Sequence, residues 1–251
     1  MINLNRKVVL ITGGSKGIGA ACVKLFSKAD ADVAFTFNTG KKESEILEKN
    51  NLGKGKIKAY KTDVTIEEEI EMLFENILED FGKIDILINN AGIWEEAPID
   101  ETSVANWERT IKTNLTSMFL VTRKVVPIMK KNRFGRIINI SSTAGQRGEA
   151  RYSNYAASKG GMISFTKSLA SELGEFNITT NSVAPGWVYS EMTKSVFEDK
   201  DYEAQEVNKI PVKRIATAED IAGPCLFLAS DLARQINGEI LNVNGGSVLC
   251  G

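Results

Sequence analysis

Short apolar runs alternate with longer amphipathic segments along the whole chain. Some runs, such as 8–11 and 137–140, are apolar almost throughout, which is typical of strands that are buried on both faces of a sheet. The pattern predicts strands over 7–12, 32–37, 56–61, 84–89, 136–141, 178–183 and 239–243. The amphipathic segments predict helices over 17–29, 41–50, 66–81, 103–131, 155–175 and 218–229.

Regular alternation of strand and helix implies βαβ units. We therefore expect an α/β fold, with a doubly wound seven-stranded parallel sheet, helices on both faces and a single domain over 1–251. The helix predicted over 103–131 is unusually long, and Pro127 predicts either a kink or its last turn. The polar segment 186–210 follows a strand end, where we expect a lid over a substrate.

Composition narrows the possible functions. The chain has 31 Lys and Arg against 32 Asp and Glu, which gives a net charge of −1 and argues against nucleic-acid or anionic-membrane partners. Histidine is absent, which excludes a Ser-His-Asp triad, an imidazole base and any His-containing zinc site, and we predict no metal. The scattered Cys22, Cys225 and Cys250 fit a reducing compartment, so we expect a cytoplasmic protein.

A glycine-rich loop follows the first predicted strand. It reads Thr12-Gly-Gly-Ser-Lys-Gly-Ile-Gly19 and leads directly into a predicted helix. Glycines allow a tight turn and close approach of a phosphate, and the helix start offers unpaired N–H groups. Between the first strand and the first helix of an α/β domain, such a loop indicates a dinucleotide site.

The second predicted strand bears on the choice of dinucleotide. NAD-binding folds usually place an acidic residue near its end, but this strand ends at Phe37 and Asn38. The missing acid and Lys16 favour NADP over NAD, and Lys41 and Lys42 add positive charge, although all three lysines are equally compatible with a solvated surface.

Tyr155 and Lys159 are the strongest chemical signal. Positions i and i+4 share one face of a helix, so the ammonium can approach the phenol. At ~5 Å and an effective dielectric constant of ~20, the attraction is roughly 3 kcal/mol, or about two pKa units. We therefore expect Lys159 to lower the pKa of Tyr155 towards neutrality, as proton exchange with an alcohol or ketone requires.

Further polar motifs follow other predicted strands. Residues 89–92 read Asn-Asn-Ala-Gly, Ser141-Ser142 closes the fifth strand, and 185–186 are Pro-Gly. In a doubly wound sheet these ends meet at one edge. From Thr12 to Gly246 this ordered series resembles the short-chain dehydrogenase/reductase family, which implies a Rossmann fold and a nicotinamide-dependent oxidoreductase.

The resemblance implies specific roles. Tyr155 would be the general acid in ketone reduction and the base in alcohol oxidation. Lys159 would also hold the nicotinamide ribose, Ser142 would bind the substrate oxygen, and Asn114 would hold a water that links Lys159 to solvent. Strand alternation favours Ser142 over its neighbour Ser141, whose side chain should point to the opposite sheet face.

The cofactor set implied by the resemblance follows several strand ends. Asp63 would accept from the adenine amino group, and Val188 and Ser190 would meet the carboxamide end. The full set is Gly13, Gly14, Ser15, Lys16, Gly17, Ile18, Gly19, Asn38, Asp63, Val64, Asn90, Ala91, Gly92, Tyr155, Lys159, Pro185, Gly186, Val188 and Ser190.

Within the family the chain most resembles the 3-oxoacyl-(acyl-carrier-protein) reductases, through 135–142, 155–161 and 181–186. This implies a homotetramer that reduces 3-oxoacyl thioesters, with acyl carrier protein as a possible partner. The acidic carrier could dock on a basic patch, although helix-end charge explains such residues equally well: Arg123, Lys124, Lys130, Lys131, Arg133 and Arg136.

Two departures keep other substrates open. Phe176 stands where those reductases often have an arginine, and Tyr152, which we expect to contact substrate, stands where a glutamine is common. A sugar, polyol or other small carbonyl compound fits the same catalytic set. A non-catalytic NADP sensor is a third hypothesis, and the retained Tyr155 and Lys159 argue against it.

Overall fold

Seven parallel strands form one sheet at the centre of the computed structural model, which describes residues 2–249. The strands are β1 Val8–Ile11, β2 Asp32–Phe37, β3 Ile57–Lys61, β4 Ile86–Asn89, β5 Gly135–Ile140, β6 Ile178–Pro185 and β7 Ile240–Val243. Their order is β3-β2-β1-β4-β5-β6-β7, and every ladder is parallel.

Helices cover both faces of this sheet. They are α1 Gly17–Lys28, α2 Lys41–Lys49, α3 Glu67–Phe81, α4 Val104–Ile111, α5 Ser117–Asn132, α6 Ala144–Arg147, α7 Ser153–Leu173, α8 Lys200–Lys209 and α9 Ala218–Ala229. On one face Val9 packs with Phe26 of α1 and Leu228 of α9, and on the other Leu10 packs with Leu73 of α3 and Val125 of α5. Successive side chains of a strand point to opposite faces, so β1 contributes to both layers. The predicted doubly wound, single-domain Rossmann-like fold is confirmed.

The helix predicted over 103–131 differs from the observed structure. It consists of α4, a π-helical turn at Lys112–Thr116, and α5. Pro127 lies inside α5, which continues to Asn132, so Pro127 does not mark the last turn, and the kink stays a prediction. The irregular turn instead contains Asn114, whose side chain is fully buried and points towards the loop after β4. Such turns occur frequently at functional sites.

Hydrogen bonds join the loops that follow β1 and β4. These two strands are neighbours at the centre of the sheet, and the strand order runs outwards from them in opposite directions. Thr12 is 2% exposed, and its Oγ1 accepts hydrogen bonds from the backbone N–H groups of Asn90 and Ala91, each at 3.0 Å. Such a topological switch point opens a crevice outside the strand ends, where ligands bind in sheets of this kind.

The segment between β6 and α9 forms a small layer of its own. Phe197, Ile210 and Ile215 are buried together, with Trp187 packed against them, and α8 lies within this segment. Within residues 2–249, no helix is both long enough and apolar enough to cross a membrane.

Candidate active site

A cleft of about 980 Å³ lies at the carboxyl ends of β1, β4, β5 and β6. It brings together most of the residues that the sequence predicts for the site. Those that line it are Gly13, Lys16, Gly17, Ile18, Asn90, Ala91, Gly92, Ser142, Tyr152, Tyr155, Lys159, Pro185, Gly186, Val188 and Ser190.

The glycine loop presents bare backbone to the cleft. Gly13 and Gly17 have φ angles of +65° and +51°, a region that disfavours other residues. A Cβ on Gly17 would meet only the Cβ of Ser190 within 4 Å, at 3.5 Å, so it would fill the space between these two segments. Lys16, the residue before α1, makes no side-chain capping bond. The N-terminus of α1 therefore faces a cradle that fits the diphosphate of a dinucleotide.

Several predicted cofactor residues shape the loop rather than line the cleft. A Cβ on Gly14 would stand 2.6 Å from Phe35, and one on Gly19 would stand 2.2 Å from the Gly13 oxygen. Ser15 donates its hydroxyl to the Thr39 carbonyl at 3.2 Å.

The predicted adenine end lies at the ends of β2 and β3. Asn38 donates to Asp63 at 3.1 Å, and the other Asp63 oxygen accepts from the Thr65 backbone and hydroxyl. Val64 packs into the core beside α3.

The region beyond β2 carries mixed charge close to the glycine loop, because a Glu43 carboxylate oxygen lies 3.3 Å from where a Cβ on Gly40 would be. Lys16 is exposed, and its Cε stands 3.2 Å from where a Cβ on Gly40 would be. Gly40 precedes α2, whose first residues are Lys41 and Lys42. This lysine group extends the cradle towards the end of β2.

Tyr155 and Ser142 meet in the cleft. Ser142 forms a hydrogen bond with the phenol, and its own oxygen accepts from the Ala144 backbone at 3.1 Å. Ser141 points away, because its hydroxyl donates to the Val183 carbonyl at 3.1 Å and accepts from Ser182 at 2.6 Å. The expectation from strand alternation is confirmed: of the two serines, Ser142 faces Tyr155.

Lys159 is nearly enclosed. It is 4% exposed, and its Nζ donates to the Ile140 carbonyl at 2.7 Å and contacts the Met162 sulfur at 3.7 Å. The same Nζ lies 5.6 Å from the centre of the Tyr155 ring. The proximity expected from the i, i+4 spacing is therefore present.

The expected electrostatic effect of that proximity is wrong. Burial raises the pKa of Tyr155 to about 12, against a smaller lowering by the hydrogen bond with Ser142. Burial also lowers the pKa of Lys159 to about 7. Loss of hydration disfavours the charged form of each group, and it is the largest contribution to both shifts. At neutral pH Tyr155 is thus a protonated phenol.

Buried amides hold the catalytic helix in place. Asn114 accepts from the Ile93 backbone at 2.8 Å and donates to Ser158 at 3.0 Å, and Ser158 donates to the Tyr155 carbonyl at 2.7 Å. Asn154 accepts from the Tyr155 backbone N–H at 2.8 Å. The sequence analysis missed Asn154, which directly precedes Tyr155, and Ser158, which directly precedes Lys159.

The outer half of the cleft is aromatic and charged, which the sequence analysis also missed. Trp94 stacks on Tyr152, with ring centres 4.5 Å apart and planes 6° apart, and Trp187 meets Trp94 edge-on at 5.9 Å. Two ion pairs line the same half, Arg147 with Glu149 and Lys209 with Glu206. Trp94 and Trp187 directly follow the Asn-Asn-Ala-Gly-Ile and Pro-Gly motifs, and this position was the signal available in the sequence.

Only part of the predicted basic patch is a free surface: Lys131 and Arg133 are exposed, whereas the other four members are buried or paired with acids. Arg136 is 2% exposed and donates to the backbone carbonyls of Gly135 and Asn177. Acidic side chains neutralise three other members, through the pairs Arg123–Glu67, Lys124–Glu71 and Lys130–Glu172. The helix pattern could not reveal this, because the acids come from α3 and α7.

Fold and cleft together define a dinucleotide-binding enzyme in which a phenol, a hydroxyl and an ammonium converge beside the cofactor cradle. A family model described as enoyl-(acyl carrier protein) reductase matches residues 13–247. The chain belongs to the short-chain dehydrogenase/reductase family, whose members are oxidoreductases that act on CH–OH and C=O groups with nicotinamide cofactors.

Relatives share the whole length of the chain. The 3-oxoacyl-(acyl-carrier-protein) reductase FabG of Aquifex aeolicus is 40% identical over 249 residues, 98% of each chain. That of Escherichia coli is 40% identical over 248 residues, again 98% of each chain. Among solved structures, a putative gluconate dehydrogenase from Agrobacterium tumefaciens has a TM-score of 0.94 at 30% identity, with 99% of each chain covered. A putative NAD(P)-dependent gluconate 5-dehydrogenase from Beutenbergia cavernae, with bound NADP, has a TM-score of 0.91 at 31% identity, with 98% of each chain covered.

The buried Lys159 predicts a pH-dependent stability. Its pKa is about 7 in the folded protein against 10.5 as the ordinary value, so the unfolded chain binds more protons between these values. The free energy of unfolding gained by Lys159→Met should therefore be largest below pH 7. It should shrink by up to roughly 1.4 kcal/mol per pH unit above it. Urea unfolding of both proteins at pH 6, 7, 8 and 9 measures this difference. Lys167→Met, which removes an exposed charge from the same helix, is the control, and a difference independent of pH would contradict the prediction.

Proposed function

We propose that this protein is an NADPH-dependent reductase of 3-oxoacyl thioesters. The observation that supports it most directly is the convergence of Ser142, Tyr155 and Lys159 in one cleft, beside the cradle for a dinucleotide. Ser142 and Tyr155 present two hydroxyl groups to one substrate oxygen. The relatives named 3-oxoacyl-(acyl-carrier-protein) reductase share about 40% of the sequence over nearly the full length, which favours this substrate over a sugar or polyol.

A bound reduced nicotinamide supplies a hydride ion to the carbonyl carbon. Tyr155 donates its proton to the carbonyl oxygen, and Ser142 donates a hydrogen bond to the same oxygen as negative charge develops there. The product is the 3-hydroxyacyl thioester, and Tyr155 recovers its proton from solvent. Lys159 holds the nicotinamide ribose and stabilises the transient phenolate, and Asn114 holds the water through which that proton returns. A pKa of about 12 keeps Tyr155 protonated at neutral pH, so the proton that reduction requires is present on the phenol.

NADPH is the proposed cofactor because Lys16 lies just beyond β2. No acidic residue ends β2, whose last residues are Thr36 and Phe37. A 2′-phosphate there would meet the Lys16 ammonium, with the Glu43 carboxylate beside it. The structural relative from Beutenbergia cavernae contains NADP.

Three further predictions belong to this proposal. Residues 186–210 act as a lid, with α8 over the substrate. The protein forms a homotetramer through α4, α5 and α7, and Val104, Trp107 and Phe119 expose apolar side chains on the first two of these helices. The substrate is carrier-bound in a cytoplasmic setting.

A substrate panel tests the function. The 3-oxobutanoyl thioester of N-acetylcysteamine, 5-ketogluconate and simple polyols are compared with NADPH or NADH for reduction, and with NADP or NAD for oxidation. Loss or gain of nicotinamide absorbance at 340 nm is followed. We expect the highest kcat/KM for the thioester with NADPH. A higher value for a sugar or polyol would replace this proposal, and binding of NADPH without turnover of any compound would favour a sensor.

Tyr155→Phe removes the proton donor and leaves the ring. We expect kcat to fall by about 10²–10⁴-fold. NADPH affinity, measured by fluorescence titration, should change little, because the cradle lies in other loops. Tyr60→Phe, on β3 outside the cleft, is the matched control. Near-normal turnover of Tyr155→Phe would rule out Tyr155 as the acid.

Lys16→Ala tests the cofactor assignment. We expect KM for NADPH to rise about tenfold, the size of one charge-assisted hydrogen bond, while KM for NADH changes much less. Lys24→Ala removes an exposed lysine further along α1 and serves as the control. An equal effect on both cofactors, or none, would show that Lys16 does not select NADPH.

A further inference from the structure

The buried ammonium of Lys159 has a second acceptor that the proposed reaction does not yet account for. Its Nζ donates to the Ile140 carbonyl at 2.7 Å and to the Sδ of Met162 at 3.7 Å. Lys159 is 4% exposed and Met162 is 1% exposed, so solvent has little access to this contact. The two residues are three positions apart on α7, which brings their side chains together on one face of the helix.

A thioether suits a cation that is buried among apolar groups. The sulfur of methionine is a weak acceptor, but it is polarizable, and a charged donor strengthens a hydrogen bond. A buried ammonium needs such partners, because the hydration that it loses is costly to leave unreplaced. The contact between Met162 and Lys159 is therefore electrostatic as well as a packing contact.

Both acceptors of Lys159 are tied to β5. Ile140 is the last residue of that strand. The Met162 carbonyl accepts from the Thr166 hydroxyl at 2.8 Å, and the Thr166 oxygen accepts from the Asn139 amide at 2.9 Å. Asn139 and Thr166 are 0% exposed, so these bonds are sealed from solvent. The backbone that carries the sulfur is thus fixed against the strand that supplies the Ile140 carbonyl.

The number of hydrogens on Nζ decides what the two acceptors do. An ammonium has three N–H groups, whereas a neutral amine has two N–H groups and a lone pair. With two hydrogens directed to Ile140 and Met162, the third position is left for the cleft, which Lys159 lines. The centre of the Tyr155 ring is 5.6 Å from the Nζ. The proton that Lys159 gains and loses on titration is thus the one on the cleft side.

The titratable surroundings of Lys159 are simple. Tyr155, on the same helix, is neutral at pH 9 and below, because its pKa is about 12. Arg147 and Glu149, which also line the cleft, pair with each other. Burial is the only cause of the lowered pKa of Lys159, so no charged group of α4, α6, β5 or β6 shifts it. A change at Met162 that alters the titration of Lys159 therefore reports on the sulfur contact.

We infer that Met162 is a positioning residue for Lys159: its thioether accepts one ammonium N–H and thereby leaves the third N–H for the cleft beside Tyr155. This role goes beyond the proposed function, because it concerns the state of Lys159 whatever the substrate is.

Met162→Leu removes the sulfur at nearly constant side-chain volume. The sulfur stabilises the charged form of Lys159, which dominates below the pKa of about 7 and is lost above it. Urea unfolding of both proteins at pH 5.5 and pH 9 measures the effect. We expect the ratio of unfolding equilibrium constants, variant over wild type, to be about threefold larger at pH 5.5 than at pH 9, the size of a weak hydrogen bond. Equal ratios at the two pH values would overturn the inference.

Two controls separate the sulfur contact from packing. In the Lys159→Met background, Met162→Leu should give the same ratio at both pH values, because the cation is gone. Met118→Leu, at a methionine of α5 that is 2% exposed, should do the same with Lys159 present. A pH dependence of Met162→Leu that persists without Lys159 overturns the inference.

The pH profile of the reaction gives a second readout. For both proteins, kcat/KM with NADPH and the 3-oxobutanoyl thioester of N-acetylcysteamine is measured from pH 5.5 to pH 9. Because the reaction uses Lys159 as a cation, we expect the alkaline limb of Met162→Leu to lie about 0.5 pH unit lower, which is the same threefold change. A limb that does not move overturns the positioning role. Absence of turnover in both proteins overturns the proposed function, while the unfolding comparison still decides on Met162.

Discussion

The hydrogen bond from the Lys159 ammonium to the Ile140 carbonyl, at 2.7 Å, fixes the active end of the molecule. It joins α7 to the end of β5 and sets the rotation of that helix, so that Tyr155, one turn earlier, faces Ser142. The bond restores only part of the hydration that a buried ammonium loses, which is why the pKa of Lys159 falls to about 7. The protein therefore keeps an unfavourably buried amine beside Tyr155, where the proposed reaction uses it.

Burial acts on both members of the Tyr–Lys pair and favours the neutral form of each. A phenol with a pKa of about 12 is a proton donor at physiological pH. The buried amides keep that donor in place, since Asn114 joins the loop after β4 to α7 through Ser158. The π-helical turn that contains Asn114 therefore belongs to the construction of the site.

The two halves of the cleft are built differently. The cofactor half consists of backbone and small residues, as in the approach of Gly17 to Ser190, where the shape of the main chain provides the cradle. The substrate half is built from large side chains, Trp94, Tyr152 and Trp187, on loops that follow or precede the rigid elements. A common scaffold can thus keep one cofactor while its loops change the substrate.

The sequence by itself determined whatever depends on local periodicity. The short apolar runs predicted all seven strands to within about two residues. The glycine spacing predicted the cradle, and the i, i+4 spacing brought Lys159 to Tyr155. The tertiary structure decided what depends on distant neighbours. Arg136 is buried and Arg123 is paired with Glu67 of α3, so the basic patch there is smaller than the sequence predicted. The pKa of Tyr155 rises instead of falling, because burial is a sum over side chains and backbone from many parts of the chain, and no local pattern of residues encodes that sum.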